Sequence, residues 1–427
     1  MDNRKIFFII LTSFLLLGIY MGISSFPICL AALALCLYKS DKDSVGVFLL
    51  MFGGTLGGIT RMYYPFIPVY GILLNLAGIF LLRGSLNSFF SDCKKGMRYS
   101  LLVCLIFFVF YLLGERTAYA SSKMFDIAFH GSMMLFGYYV FLTSTSLRNS
   151  DLGYILIMTS IAFMSFVIDY YGFSAGAIIN YDWFRSDIMS YYYSNAENTI
   201  IGYQEVGMLA LFGIAIIISD QKFDVFKALF LGLVAFQIIL TSGARQAILG
   251  FVAILFLRFV FFTETRRFKK ILSIIFGIAT ALISLYLILQ YGDEKTATTL
   301  SSGESDRDLI FVDALRIFIE NPLFGVGLGG FASHTVIDNI AWPHNFFLEI
   351  LCETGIVGSV LLILILFNYW FKSNVRLKLL TAHSSFYFLA LAVLFLRVMV
   401  SSDLSESIEL FSALFVCGTI NHSYEKF

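Results

Sequence analysis

Apolar runs near spanning length recur along the whole chain, separated by short polar breaks. A helix needs about 20 mostly apolar residues to cross a hydrocarbon core of about 30 Å. The pattern therefore predicts an all-α, polytopic integral membrane protein of about 14 (roughly 12–14) transmembrane helices. They are expected near 6–20, 24–38, 45–60, 67–82, 99–114, 125–142, 152–169, 206–219, 226–241, 247–262, 271–291, 346–370, 386–400 and 408–420. Ser24, Ser25 and Pro27 break what would otherwise be one long first run, and the last run is short and carries Glu409. Two breaks are long. The stretch 171–205 is rich in tyrosine, and 292–345 separates the runs near 271–291 and 346–370. Within the second, Asp306 to Glu320 reads as a helix, with Ser305 as its cap and Ile310, Phe311, Ala314, Leu315, Phe318 and Ile319 as one apolar stripe. That helix is expected to lie on the membrane or over the spans. No repeat or soluble domain interrupts the pattern, so 1–427 reads as a single transmembrane domain.

Composition supports this and adds a direction. The chain is 59% apolar, against about 45–50% in ordinary soluble domains, and its mean hydropathy is +0.83. Arg4 and Lys5 before the first run look like the start of a secretion signal, but no small-residue cleavage site follows, so a retained span is expected. With the N-terminus inside, 19 lysines and arginines fall on inside segments and 8 on outside ones. This bias sets orientation, and it places both long breaks outside and both ends inside. Net charge is zero, which argues against a nucleic-acid partner. The six cysteines lack metal-ligand spacing and are expected as thiols; no metal site is expected.

The candidate chemistry crowds into 321–358: N-P-L-F-G-V-G-L-G-G-F-A-S-H, a polar passage, then W-P-H-N-F-F-L-E-I-L-C-E-T-G-I-V-G. Trp342 suits a membrane boundary and Pro343 the first turn of a helix. His344 is then expected at the mouth of a span, with Glu349 and Glu353 one turn apart on one face. Carboxylates at membrane depth are costly and point by default to function. Gly325, Gly327 and Gly330 fit G-x-G-x-x-G, but no βαβ unit surrounds them, so a tight turn is the better reading than nucleotide binding. Arg245 opens a span from the outside, where a guanidinium either anchors at headgroups or grips a diphosphate through its planar fork. Arg307 offers the same choice, and Arg316 is either a further ligand or part of a solvated helix face. Arg397 lies inside an apolar run, where it would face a cavity or pair with Asp403. Glu205 begins a span as an acceptor-side group or a capping carboxylate, and the tyrosines of 171–205 suit sugar stacking or an aromatic belt. His130, His334, His383 and His422 receive no role.

The stretch resembles the O-antigen ligase and O-antigen polymerase superfamily of bacterial envelope proteins. The residues that carry it are Arg307, Asn321-Pro322-Leu323-Phe324-Gly325-Val326-Gly327, His344-Asn345 through Gly358, and upstream Ser242 to Gln246, S-G-A-R-Q. They span about 241–371; the first half of the chain is similar only in being polytopic. The resemblance implies a GT-C-like glycosyltransferase of the inner membrane with its site facing the periplasm. It would move glycan from an undecaprenyl-diphosphate carrier to a hydroxyl, without a cofactor. His344 is the first candidate base and Glu349 the second; Arg245, Arg307, Arg397 and Arg316 are candidate diphosphate ligands, with Glu205 and Asn345 on the acceptor side. The polymerase branch is the preferred reading. A ligase transferring the chain to lipid A–core, or a polysaccharide flippase, are the alternatives. Donor and acceptor lipids, a chain-length regulator and a flippase are the partners implied.

Overall fold

The computed structural model describes residues 3–21, 26–63, 70–144, 151–171, 203–219, 225–241, 245–261, 306–338, 340–373, 385–400 and 403–418. Among these residues the structure is helical, without strands. The helices are α1 (Asn3–Tyr20), α2 (Phe26–Lys39), α3 (Lys42–Tyr63), α4 (Tyr70–Leu81), α5 (Leu86–Asp92), α6 (Lys94–Leu113), α7 (Ala118–Thr143) and α8 (Asp151–Tyr171). They continue with α9 (Tyr203–Ser219), α10 (Val225–Thr241), α11 (Arg245–Phe261), α12 (Asp306–Glu320), α13 (Phe331–His334), α14 (Phe346–Lys372), α15 (Ser385–Val400) and α16 (Ile408–Cys417).

Every predicted run coincides with a helix except 271–291, which lies outside the described residues, as does most of 171–205. Spanning length is a stricter test. Among the described residues three helices, α6, α7 and α14, are long and apolar enough to cross a membrane, or four if the bent pair Gly71–Leu81 and Arg83–Asp92 is one span. In others, such as Ile6–Ile19 and Asp151–Phe166, the described apolar stretch covers 10–17 residues. Helix ends also depart from the hydropathy pattern, because backbone hydrogen bonding is indifferent to side-chain polarity. α7 starts at Ala118, well before the expected 125, since Thr117 caps it: the Ala120 amide donates to Thr117 Oγ1 at 3.0 Å. The polar residues Ser121, Ser122 and Lys123 are thereby helical.

The chain divides into two compact units, Met1–Arg83 with Ser144–Ser302, and Gly84–Thr143 with Gly303–Phe427. In the first, α8 is buried along its described length between α2, α3 and α9. Ser160 Oγ donates to the Val206 carbonyl at 2.8 Å, and the Asp41 amide to Asp151 Oδ2 at 3.2 Å. In the second, α6, α7, α14 and α16 pack together. Ser412 Oγ donates to the Gly131 carbonyl at 3.0 Å, tying α16 to α7. Lys95 Nζ donates to the Lys372 carbonyl at 2.7 Å, so the start of α6 and the end of α14, both assigned inside by the charge bias, lie together.

α12 is the predicted amphipathic helix, with its buried stripe rotated from the expected one. Ile310, Ala314 and Ile317 pack with Val326, Phe331 and Cys352, whereas Leu315 and Ile319 face outward with Leu309 and Val312. The reason is Asp313, which is buried. Its carboxylate accepts from Arg316 Nε at 2.9 Å, Thr335 Oγ1 at 2.6 Å and the Val336 amide at 3.1 Å. Satisfying that charge turns the helix toward the loop after α13.

Candidate functional site

α14 begins with a cap. Asn345 is extended, and its side-chain oxygen accepts from the Phe347 amide at 3.0 Å and the Leu348 amide at 3.2 Å. These are two of the orphan donors of a helix start. Pro343, expected in the first turn, therefore lies two residues ahead of the cap, and the intervening His344 has φ of 53°. A non-glycine residue in that left-handed region is under strain, and such residues cluster at functional sites. The half-buried His344 ring stands edge-on to Trp342, with centroids 5.0 Å apart.

Two residues beyond Glu353, α14 breaks. Gly355 has φ 63° and ψ −166°, splitting the helix into a short N-terminal half, Phe346–Thr354, and a long remainder. The break exposes backbone groups, and the turn Asn321–Gly330 satisfies them from both sides. The Val326 amide donates to the Cys352 carbonyl and the Gly327 amide to the Glu353 carbonyl, each at 2.9 Å. In return the Ile356 amide donates to the Pro322 carbonyl at 2.9 Å and the Val357 amide to that of Leu323 at 3.1 Å. Such an approach leaves no room for a Cβ. One on Gly325 would sit 2.5 Å from the Glu353 carbonyl carbon, and one on Gly355 would strike the Leu323 oxygen. The N-P-L-F-G-V-G segment is thus a plug for a broken helix.

Both carboxylates expected on one face are there, with 0% exposure, and they meet a cation that sequence reasoning passed over. Lys123 Nζ lies 2.5 Å from Glu349 Oε1 and 2.9 Å from each oxygen of Glu353. It also lies 5.5 Å from the centre of the Tyr119 ring, and the Tyr119 hydroxyl donates to Asp403 Oδ2 at 3.2 Å. Among the described residues Glu349 Oε2 has no hydrogen-bond partner. A signal for Lys123 existed. It shares the buried stripe of Ala120, Ile127, Gly131 and Met134, at helical spacing, where a lysine needs a partner.

The other expected residues are placed as follows. Glu349 is enclosed, with its charge on Lys123. Asn345 is the cap, and its amide nitrogen donates to the Met399 carbonyl at 3.3 Å. Arg307 is half-buried in the first turn of α12. Arg316 is engaged by Asp313, Glu320 and the His334 carbonyl. Arg397 pairs with Glu406 at 3.1 Å and Glu409 at 3.0 Å, whereas Asp403, the alternative partner offered by the sequence, accepts from Tyr119. Outside the membrane helices, burial works against ionisation of Asp313, but hydrogen bonds from Thr335, Arg316 and Val336 outweigh it and hold the carboxyl below its usual value. Arg245 and Glu205 fall in the first turns of α11 and α9, and their side chains lie outside the described residues.

A broken apolar helix, plugged by a glycine turn and carrying buried charge near its N-terminal end, among other long apolar helices, is the pattern of a helical membrane-embedded protein. Residues 228–363 match the sequence model of the family described as O-antigen ligase, which supports the O-antigen ligase/polymerase superfamily for this chain. Members of that family are glycosyltransferase-like enzymes. A search of curated proteins found no match.

Proposed function

We propose that the chain is a polymerase of O-antigen or a related surface polysaccharide, joining undecaprenyl-diphosphate-linked repeat units at the periplasmic face of the inner membrane. The observation that carries the reading is His344. It is a partly exposed imidazole in a strained backbone conformation, at the mouth of a broken membrane helix, inside the stretch that matches the family. In this proposal His344 takes the proton of the acceptor hydroxyl as that oxygen attacks the anomeric carbon. The diphosphate leaves as an anion, so the departing group needs cations more than a proton. Arg307, and Arg245 from the upstream motif, supply them through bidentate contacts. Arg316 and Arg397 each already serve two carboxylates, and we assign them to the fold. Asn345 likewise caps its helix, and Glu205 is retained as an acceptor-side group.

The multi-span GT-C-like arrangement, the single transmembrane domain with outer loops at 171–205 and 292–345, and the chain-length regulator and flippase as neighbours belong to the same proposal. A ligase is the second reading, favoured by the description of the matching family. Deletion of the gene, read by lipopolysaccharide electrophoresis, separates the two. A single repeat on the core means polymerisation was lost. No repeats on the core, with long chains held on the carrier, means ligation was lost. An unchanged ladder sinks both.

A further inference from the structure

We infer that Lys123 is a positioning residue for the proposed glycosyl transfer, setting the N-terminal half-helix Phe346–Thr354, and with it His344, against the plug Asn321–Gly330. The inference rests on the transfer reading for its functional part and on geometry for the rest.

The half-helix needs an external hold. Gly355 interrupts α14 behind it, so the long part of the helix cannot fix its orientation through continuous backbone bonding. The four backbone bonds to the plug join two segments that flank the same break. Lys123 stands on another element, the long helix α7, and reaches both carboxylates of the half-helix at 2.5–2.9 Å.

Its connections spread in a particular way. Glu353 receives Lys123 on both side-chain oxygens and the Gly327 amide on its carbonyl. One residue thus joins α7, the half-helix and the plug. Among the described residues, Glu349 has a single side-chain bond, to Lys123, and its other oxygen has no partner. Among the described residues, Tyr119, Asp403 and the Cys352 thiol are the other ionisable groups that interact with the cluster.

Packing alone would not require these charges. Position 123 lies on an apolar stripe of α7, and buried ionic clusters can often be replaced by well-packed apolar residues without loss of stability. What an apolar contact does not supply is direction. An ammonium shared by two carboxylates one helical turn apart specifies the rotation and the register of the half-helix. His344 lies one residue before the cap of that half-helix, so its placement follows.

The test separates positioning from simple support of the fold. Lys123→Met leaves two carboxylates buried without their cation and is expected to lower protein level. The triple variant Lys123→Met, Glu349→Gln, Glu353→Gln removes all three charges together and is expected to restore level and thermal stability. Turnover is then measured with undecaprenyl-diphosphate-linked repeat units isolated from cells lacking the protein. Positioning predicts that kcat of the triple variant stays depressed, by about 10²-fold, while KM for the lipid-linked unit is unchanged. It also predicts faster hydrogen exchange at the Phe346–Thr354 amides. Wild-type kcat in a triple variant of normal level, or exchange equal to wild type, overturns the inference. Absence of turnover by the wild-type protein instead sinks the transfer reading, and the exchange comparison still decides whether Lys123 holds the half-helix.

Discussion

At the scale of single residues, the site is made of groups whose surroundings narrow what they can do. His344 is strained and half-exposed, and the adjacent Asn345 stabilises the helix start. His344→Gln preserves size and hydrogen bonding but cannot take up a proton. It is expected to lower turnover on the order of 10²–10⁴-fold at normal protein level, and near-normal turnover of lipid-linked repeat units would reduce His344 to a positioning group. Asn345→Ala should instead cost stability, about 0.5–2 kcal/mol, measured as a lower thermal midpoint in detergent. Asp313 gives a pH-dependent prediction. Its folded pKa lies below the reference value of 3.8, so its stabilising contribution is complete above that value and is lost as pH falls through the folded pKa. Wild type should therefore exceed Asp313→Asn in thermal midpoint at neutral pH, with the gap closing below pH 3.8; a gap independent of pH would contradict the carboxylate's role.

At the scale of elements, α14 is the informative one. It is apolar enough to span, yet it breaks within its first turns, and the break is what joins the two halves of the family-like motif. The glycines at 325 and 355 are needed for contact as well as for conformation. A side chain at φ near 63° is disfavoured by about 1–2 kcal/mol before any clash is counted. Gly355→Ala should thus lower both thermal midpoint and turnover, whereas Gly84→Ala, with nothing within 4 Å of the added carbon, should leave both unchanged. Equal effects from the two substitutions would show that the plug does not depend on close approach. The element also shows why its motif was readable but its form was not. The spacing of Glu349 and Glu353 reports a shared helical face from sequence alone. A helix break at Gly355 is invisible in an apolar run, because a lone glycine is tolerated in helices and the plug that stabilises the break is distant in sequence.

At the scale of the whole molecule, the charge bias predicts an orientation that labelling can test. Ser333 and Ser91 are both exposed and are assigned to opposite faces. The native cysteines are buried apart from the half-buried Cys104, so background labelling should be low. A membrane-impermeant thiol reagent applied to spheroplasts should modify Ser333→Cys and spare Ser91→Cys, and the reverse pattern would invert the topology. What the sequence determined by itself was the helical membrane class, the approximate positions of the long described helices, the turn at 321–330 and the shared face of the two glutamates. All of these follow from local periodicity, hydropathy and spacing along one stretch of chain. The tertiary structure decided the rest. Lys123, counted from sequence as an outer-loop charge, became the cation of the site because Thr117 starts α7 early and turns that position inward against α14. The buried face of α12 was decided by Asp313, whose partners Thr335 and Val336 come from the following loop. The pairing of Arg397 with Glu406 and Glu409, in place of Asp403, likewise depended on how α15 meets α16. In each case the deciding term is the need to satisfy a buried charge, and its partner is supplied by packing that no local pattern encodes.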